Sequence, residues 1–274
     1  MYETLTVERD GHLAILSLNR PDSLNALSNR MVDELRDFFF GLSDDTQTRV
    51  VLVRAEGKTF CAGLDLKEAS AGTGAGEGTS AAGGGPNVPA ALRAQRHIAE
   101  VFMLMRRAPQ PIVAAVQGAA AGGGFALALA ADVRIAAESA RMNAAFIRLG
   151  LSACDVGVSY FLPRAVGASV ASELLLTGDF IHADRALATG LVSRVVPDAE
   201  LDEAAREMAA RMLRNSPVAL RLTKECLKIN IDAGSLEAAI AMEDRNQVIT
   251  ATSHDFREGI AAFLQKREPA FEDR

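Results

Sequence analysis

Short apolar runs alternate with longer amphipathic stretches along the first two thirds of the chain. Glu3–Arg9 and Leu13–Leu18 flank Asp10-Gly11. A two-residue Asp-Gly link between two such runs predicts a β-hairpin. Ser28 precedes a stretch reaching about Leu42 in which Met31, Leu35, Phe38 and Phe39 recur on one helical face, which predicts a capped amphipathic helix. Val50–Arg54, Ile112–Val116, Val133–Ala136 and Val192–Val196 are short Val- and Ile-rich runs that predict buried strands. Helical spacing fits about Ala91–Arg107, Val158–Val166 and Val170–Leu176. Strands separated by helices predict an α/β layer architecture.

Ile112 to Ala131 carries Gln117 as its only polar side chain, and a run of that length and apolarity also fits a membrane span. Pro111 opens it and Gly118 and Gly122 to Gly124 interrupt it, so the pattern favours strand, turn and buried helix. Beyond residue 197 the pattern is helical throughout. Glu200–Arg214, a helix from Pro217 to about Ile229 capped by Ser216, Ser235–Thr250 and His254–Lys266 follow one another. Seven glycines fall between Gly72 and Gly85 and four between Gly118 and Gly124, whereas only Gly234 and Gly259 occur from Asp198 onward. This shift predicts a core over 1–197 and a helical region over 198–274 that packs on that core or on another subunit. Residues 70–87 are of low complexity and predict a mobile loop, either an inert linker or a flap over a ligand pocket.

Composition narrows the function classes. At 274 residues, with 49% hydrophobic and 23% charged positions, the chain is an ordinary globular one. A net charge of −6 leaves no electrostatic footprint for nucleic acid. Cys61, Cys154 and Cys226 are scattered and odd in number, which predicts a reduced, cytoplasmic protein. His12, His97, His182 and His254 form no ligand spacing, which argues against a metal. The N-terminus has acids and no apolar core, so no secretory signal is expected.

Phosphate-loop, nucleophile-elbow and dinucleotide glycine signatures are all missing. Two other segments can carry chemistry. Lys58-Thr59-Phe60-Cys61-Ala62-Gly63-Leu64-Asp65-Leu66 follows a strand, and its glycine lets a ligand approach the main chain. Gly122-Gly123-Gly124 opens a helix, whose first N–H groups lack internal partners and favour negative charge. One N–H from each segment could form an oxyanion hole for a developing enolate. Taken singly, each also reads as a tight core turn.

These segments, with Asn19-Arg20-Pro21, Asn25-Ala26-Leu27, Pro111 to Gly118, Ala131 to Ala136, Thr189 to Val192 and Gly259 through Arg267, resemble the enoyl-CoA hydratase/isomerase (crotonase) superfamily nearly end to end. The resemblance implies an α/β crotonase-like spiral of ββα units with a C-terminal α-helical oligomerisation region. It implies trimers or dimers of trimers, and an acyl-CoA thioester substrate with no separate cofactor. It assigns the oxyanion N–H groups to Leu64 and Gly123. Ala62, Asp65 and Leu66 would line the adenine end of the CoA site, Arg20 would meet the CoA phosphates, and Lys266 would approach the nucleotide.

The departure from the family pattern is informative. The two positions where hydratases of the family carry glutamates are Ala126 and Phe146, and neither side chain exchanges a proton. The segment from Gly150 to Tyr160, with Asp155, resembles the place where dienoyl-CoA isomerases and the 4-chlorobenzoyl-CoA dehalogenase branch carry a catalytic aspartate. Phe146 and Phe161 nearby would raise the pKa of Asp155. A single carboxylate can shuttle a proton along an enolate, which is isomerase chemistry. Nucleophilic use of Asp155 is an alternative, and so is capping of the helix starting near Gly157. Hydration of an unidentified substrate and non-catalytic acyl-CoA binding remain open. Cys61 reads as a small buried side chain, and Tyr160 as a core tyrosine with a satisfied hydroxyl.

Overall fold

The computed structural model describes residues 2–70 and 87–273. The hairpin forms as β1 (Leu5–Asp10) and β2 (Leu13–Leu18), with Gly11 at φ +56° in the turn. Next come α1 (Asn29–Gly41), β3 (Val50–Ala55), α2 (Leu66–Ser70) and α3 (Val88–Arg107). The Ser28 hydroxyl accepts from the Met31 amide at 3.1 Å, so the expected cap starts α1. The loop at 71–86, and with it the expected mobile flap, lies outside the described residues.

The long apolar run divides into β4 (Ile112–Val116), β5 (Ala119–Ala121) and α4 (Gly123–Ala130). Among the described residues no helix is long and apolar enough to cross a membrane. Then follow β6 (Val133–Ala137), β7 (Arg141–Asn143), α5 (Val158–Thr177), β8 (Ile181–His182), α6 (Ala183–Ala188) and β9 (Arg194–Val196). The two helices expected over 158–176 run on as α5, broken at Gly167, whose φ of +78° and ψ of 164° are not helical.

Six strands form one sheet in the order β1-β2-β3-β4-β6-β9, parallel except for the opening hairpin. The central strands β2 and β4 are buried at every position, whereas edge strand β1 is mostly exposed. Burial on both faces explains why the central strands read as continuous apolar runs. A smaller sheet has the order β5-β7-β8. In β4-β5-α4 and again in β6-β7-α5 the chain passes from the first sheet to the second and then into a helix, the repeat expected of the spiral.

The C-terminal helices are α7 (Leu201–Leu213), α8 (Pro217–Asn230), α9 (Leu236–Ala251) and α10 (His254–Gln265). Through Leu201, Ala204, Ala205 and Ala209, α7 covers the second face of the large sheet against Ile15, Leu52, Val113 and Ile135. Ser216 does not cap α8 as expected; its hydroxyl donates to Asp255 Oδ2 at 2.7 Å and so ties α8 to α10. Lys224, 6% exposed, ties α8 to the core by an ion pair to Asp132 at 2.8 Å. A buried ammonium needs a charged partner, and the Ile112 amide, donating to the same Asp132 oxygen, holds that partner in place. Apolar side chains such as Leu227, Leu236, Phe263 and Leu264 stand exposed on α8 to α10.

Candidate active site

The two glycine segments meet. The Leu27 amide donates to the Gly63 carbonyl at 2.7 Å, and the Asp65 amide donates to the Leu27 carbonyl at 3.0 Å. On the opposite edge the Cys61 amide donates to Ala119 and its carbonyl accepts from Ala121. Across a planar trans peptide the N–H points opposite to the C=O, so with the Gly63 carbonyl on Leu27 the Leu64 N–H points away from Leu27. Gly123, the first residue of α4, carries its N–H in the first turn of that helix, with Gly122 at φ +52° as the cap. Neither N–H donates to a protein carbonyl among the described residues.

Close approach makes the glycines obligatory. Gly63 sits at φ +93°, and a Cβ there would stand 2.7 Å from the Ala121 carbonyl oxygen and 3.4 Å from the Gly123 nitrogen. A Cβ on Gly124 would stand 2.2 Å from the Cys61 carbonyl oxygen. The other end of α4 is also held. Arg134 donates to the carbonyls of Ala128, Leu129, Ala131 and Leu191. A cation there complements the helix dipole, whose positive end faces the two free amides.

Leu64 and Gly123 open into a cavity of about 470 Å³. Its apolar walls include Leu27, Leu66, Ile98, Phe146, Leu149 and Leu151. Asp155 is the only carboxylate lining it among the described residues. Burial raises the pKa of Asp155, and hydrogen bonds from Val156 and Gln95 partly offset the rise. The carboxylate does not cap α5. It accepts from the Val156 amide at 2.7 Å and from Gln95 Nε2 at 2.6 Å, both on Oδ1. Gln95, on α3, carried no signal in the sequence, because its neighbour lies 60 residues away.

The other expected site residues divide. Ala62 and Leu66 line the cavity. Asp65 is buried and not part of the lining, and pairs with Arg20 at 3.0 Å. Burial opposes the charge on Asp65, but the bonds from Arg20, Glu68 and Lys67 outweigh it and hold its pKa below the usual range. Arg20 also donates to the Ala26 carbonyl at 2.6 Å, so its two terminal nitrogens are committed inside the protein. Lys266 ends α10 in the left-handed region at φ +54°, exposed and away from this cavity's lining. Ala126 is fully buried in α4, while Phe146 is a cavity wall. Phe161 is not part of the lining and stacks edge-on against Tyr160 instead. Tyr160 lies at the surface with its hydroxyl on Asp232. Cys61 is fully buried, and burial pushes its thiol pKa up to about 12. No cluster of potential metal ligands occurs among the described residues.

Two free backbone amides over an apolar cavity are an arrangement that can donate to the oxygen of a bound carbonyl. The profile of the enoyl-CoA hydratase/isomerase family matches residues 8–274, and the chain belongs to that family. It is 39% identical over 268 residues to a protein of Mycobacterium tuberculosis named "probable enoyl-CoA hydratase", covering 95% of this chain and 90% of the relative. It is 34% identical over 270 residues to the 2,3-dehydroadipyl-CoA hydratase of Escherichia coli, covering 98% and 99%. The crystal structure of an enoyl-CoA hydratase from Bacillus anthracis superposes with a TM-score of 0.90 at 33% identity, covering 99% of this chain and 100% of that one. The protein is therefore an enzyme of the acyl-CoA-processing crotonase superfamily.

Proposed function

We propose that the protein shifts the double bond of an enoyl-CoA thioester, with Asp155 as its single proton carrier. The observation that carries this reading is that Asp155 alone among the described carboxylates lines the cavity holding the Leu64 and Gly123 amides. The thioester oxygen sits between those two N–H groups. Asp155 takes a proton from the carbon beside the carbonyl, and the electron pair moves onto that oxygen. The two amides stabilise the oxyanion of the extended enolate. Return of the proton to the γ-carbon re-forms the carbonyl and leaves the double bond in conjugation with it. Atoms and charge balance, and no water is consumed. Burial keeps the carboxyl pKa raised, which strengthens Asp155 as a base.

Ala62 and Leu66 would carry the CoA arm at the cavity mouth, with the Arg20–Asp65 pair fixing the turn beneath them. Nucleotide contact by Lys266 and assembly into trimers or dimers of trimers through α8 to α10 belong to the same proposal, as does a cytoplasmic location. Hydration is the second reading, favoured by the names of the relatives. Against it stand the fully buried Ala126 and the apolar Phe146 at the positions expected to hold and activate water.

Purified protein with a series of 2-enoyl-, 3-enoyl- and dienoyl-CoA thioesters separates the readings. Isomerisation is expected, and Asp155→Asn should lower it by about 10²–10⁴-fold, the usual worth of a general acid–base group. Equal rates for wild type and Asp155→Asn on every thioester would refute the role of Asp155. Tight CoA-ester binding with no turnover would identify a binding protein.

A further inference from the structure

The way Asp155 is held goes further than its presence. Gln95 Nε2 and the Val156 amide both donate to Oδ1, at 2.6 and 2.7 Å. Oδ2 receives no hydrogen bond among the described residues. The backbone at this point is strained: Val156 is buried at φ +41°, and Gly157 follows at +91°. A β-branched side chain avoids the left-handed region, so surrounding structure rather than local preference holds the turn. That turn aims the Val156 N–H back at the carboxylate of the preceding residue.

We infer that Gln95 is the positioning residue for Asp155: its amide pins Oδ1 and leaves Oδ2 as the one oxygen that exchanges a proton with the ligand. The catalytic part of this inference rests on the isomerase reading above; the effect on the ionisation of Asp155 does not. With two N–H donors on Oδ1, protonation there would break one of the bonds, so the proton goes to Oδ2. Rotation of the carboxylate about Cβ–Cγ would also break them, so Oδ2 stays in place between taking a proton and returning it. A neutral amide suits the task. A cation at residue 95 would favour the charged carboxylate strongly and weaken it as a base. Arg148 is the only other charged side chain lining the cavity among the described residues, and it is paired with Asp179.

The test is a carbon-13 NMR titration of aspartate carboxyls in the full-length protein, with the Asp155 signal assigned by its loss in Asp155→Asn. Wild type, Gln95→Met and Gln95→Glu are compared, alongside the pH dependence of kcat and KM for a medium-chain 3-enoyl-CoA. Met keeps the length of Gln and removes the donor. It should raise the Asp155 midpoint by about one pH unit, the worth of a hydrogen bond to a charged group. The acidic limb of kcat should move by the same amount, with KM within about twofold. Gln95→Glu places a like charge beside the carboxylate and should move the midpoint further up. A wild-type midpoint in a folded Gln95→Met protein overturns the inference. If the midpoint moves but wild type and Asp155→Asn turn over the thioester equally, the hold on Asp155 stands and the isomerase reading falls.

Discussion

Substitution of Gly124 by alanine tests the idea that backbone approach sets the distance between the two oxyanion amides. The added Cβ would lie 2.2 Å from the Cys61 carbonyl oxygen, 2.7 Å from Cys61 Cβ and 2.8 Å from its carbonyl carbon. Reaching the 3.4 Å of an ordinary contact requires about 1 Å of separation between α4 and the 60–65 segment. Both partners are backbone-anchored, so no flexible side chain can yield in their place. Gly123 moves with α4 and Leu64 with the other segment, and the two N–H groups part. Misplacement by about 1 Å costs on the order of 10²-fold in rate, and loss of one oxyanion donor about 10²–10³-fold. Overpacking should cost about 1–3 kcal/mol, which lowers Tm by roughly 2–4 °C per kcal/mol for a chain of this size. The assay is kcat on the best CoA thioester together with a thermal melt. Gly41→Ala is the matched control, since a Cβ at that helix position meets nothing within 4 Å. It should leave the rate unchanged and raise stability by about 0.5–1 kcal/mol. A folded Gly124→Ala enzyme with kcat within about twofold of wild type would show that this contact does not set the spacing of the donors.

Two further outcomes follow from charge and burial. Burial opposes the charge on Asp45, but bonds from Thr48, Arg9 and Gln47 outweigh it and hold its pKa well below the usual carboxylate range. A depressed carboxylate pKa stabilises the fold above the unfolded value and loses that contribution as pH falls through and below it. Thermal melts of wild type should therefore lose stability as pH drops below about 4, and Asp45→Asn should be less stable at neutral pH with a shallower acid loss; identical acid slopes would refute the assignment. Thiol labelling of the native protein should modify exposed Cys154 readily and leave Cys61 untouched until the chain unfolds, because burial keeps that thiol protonated. Rapid native labelling of Cys61 would contradict its burial.

Local pattern and tertiary contact contribute differently to this protein. The apolar runs at Leu13–Leu18, Val50–Arg54 and Ile112–Val116 are strands in the sequence and in the fold, because burial on both faces demands continuous apolarity. The caps at Ser28, Ser235 and Ser253 are local, each hydroxyl serving an amide three residues on, so sequence suffices for them. Gly63 and Gly124 are legible because only glycine tolerates such close backbone approach. By contrast, β5, β7 and β8 are two or three residues long, too short for any period to show. Ser216 has the look of a cap and becomes a link to Asp255, since the partner 39 residues away offers a charged acceptor. Arg20 turns inward to Asp65 across 45 residues. Asp155 is visible in the sequence as a lone acid, but neither its strained turn nor its bond to Gln95 is. Both depend on α3 and the 150–157 loop being packed together, and only the folded chain brings them within 2.6 Å.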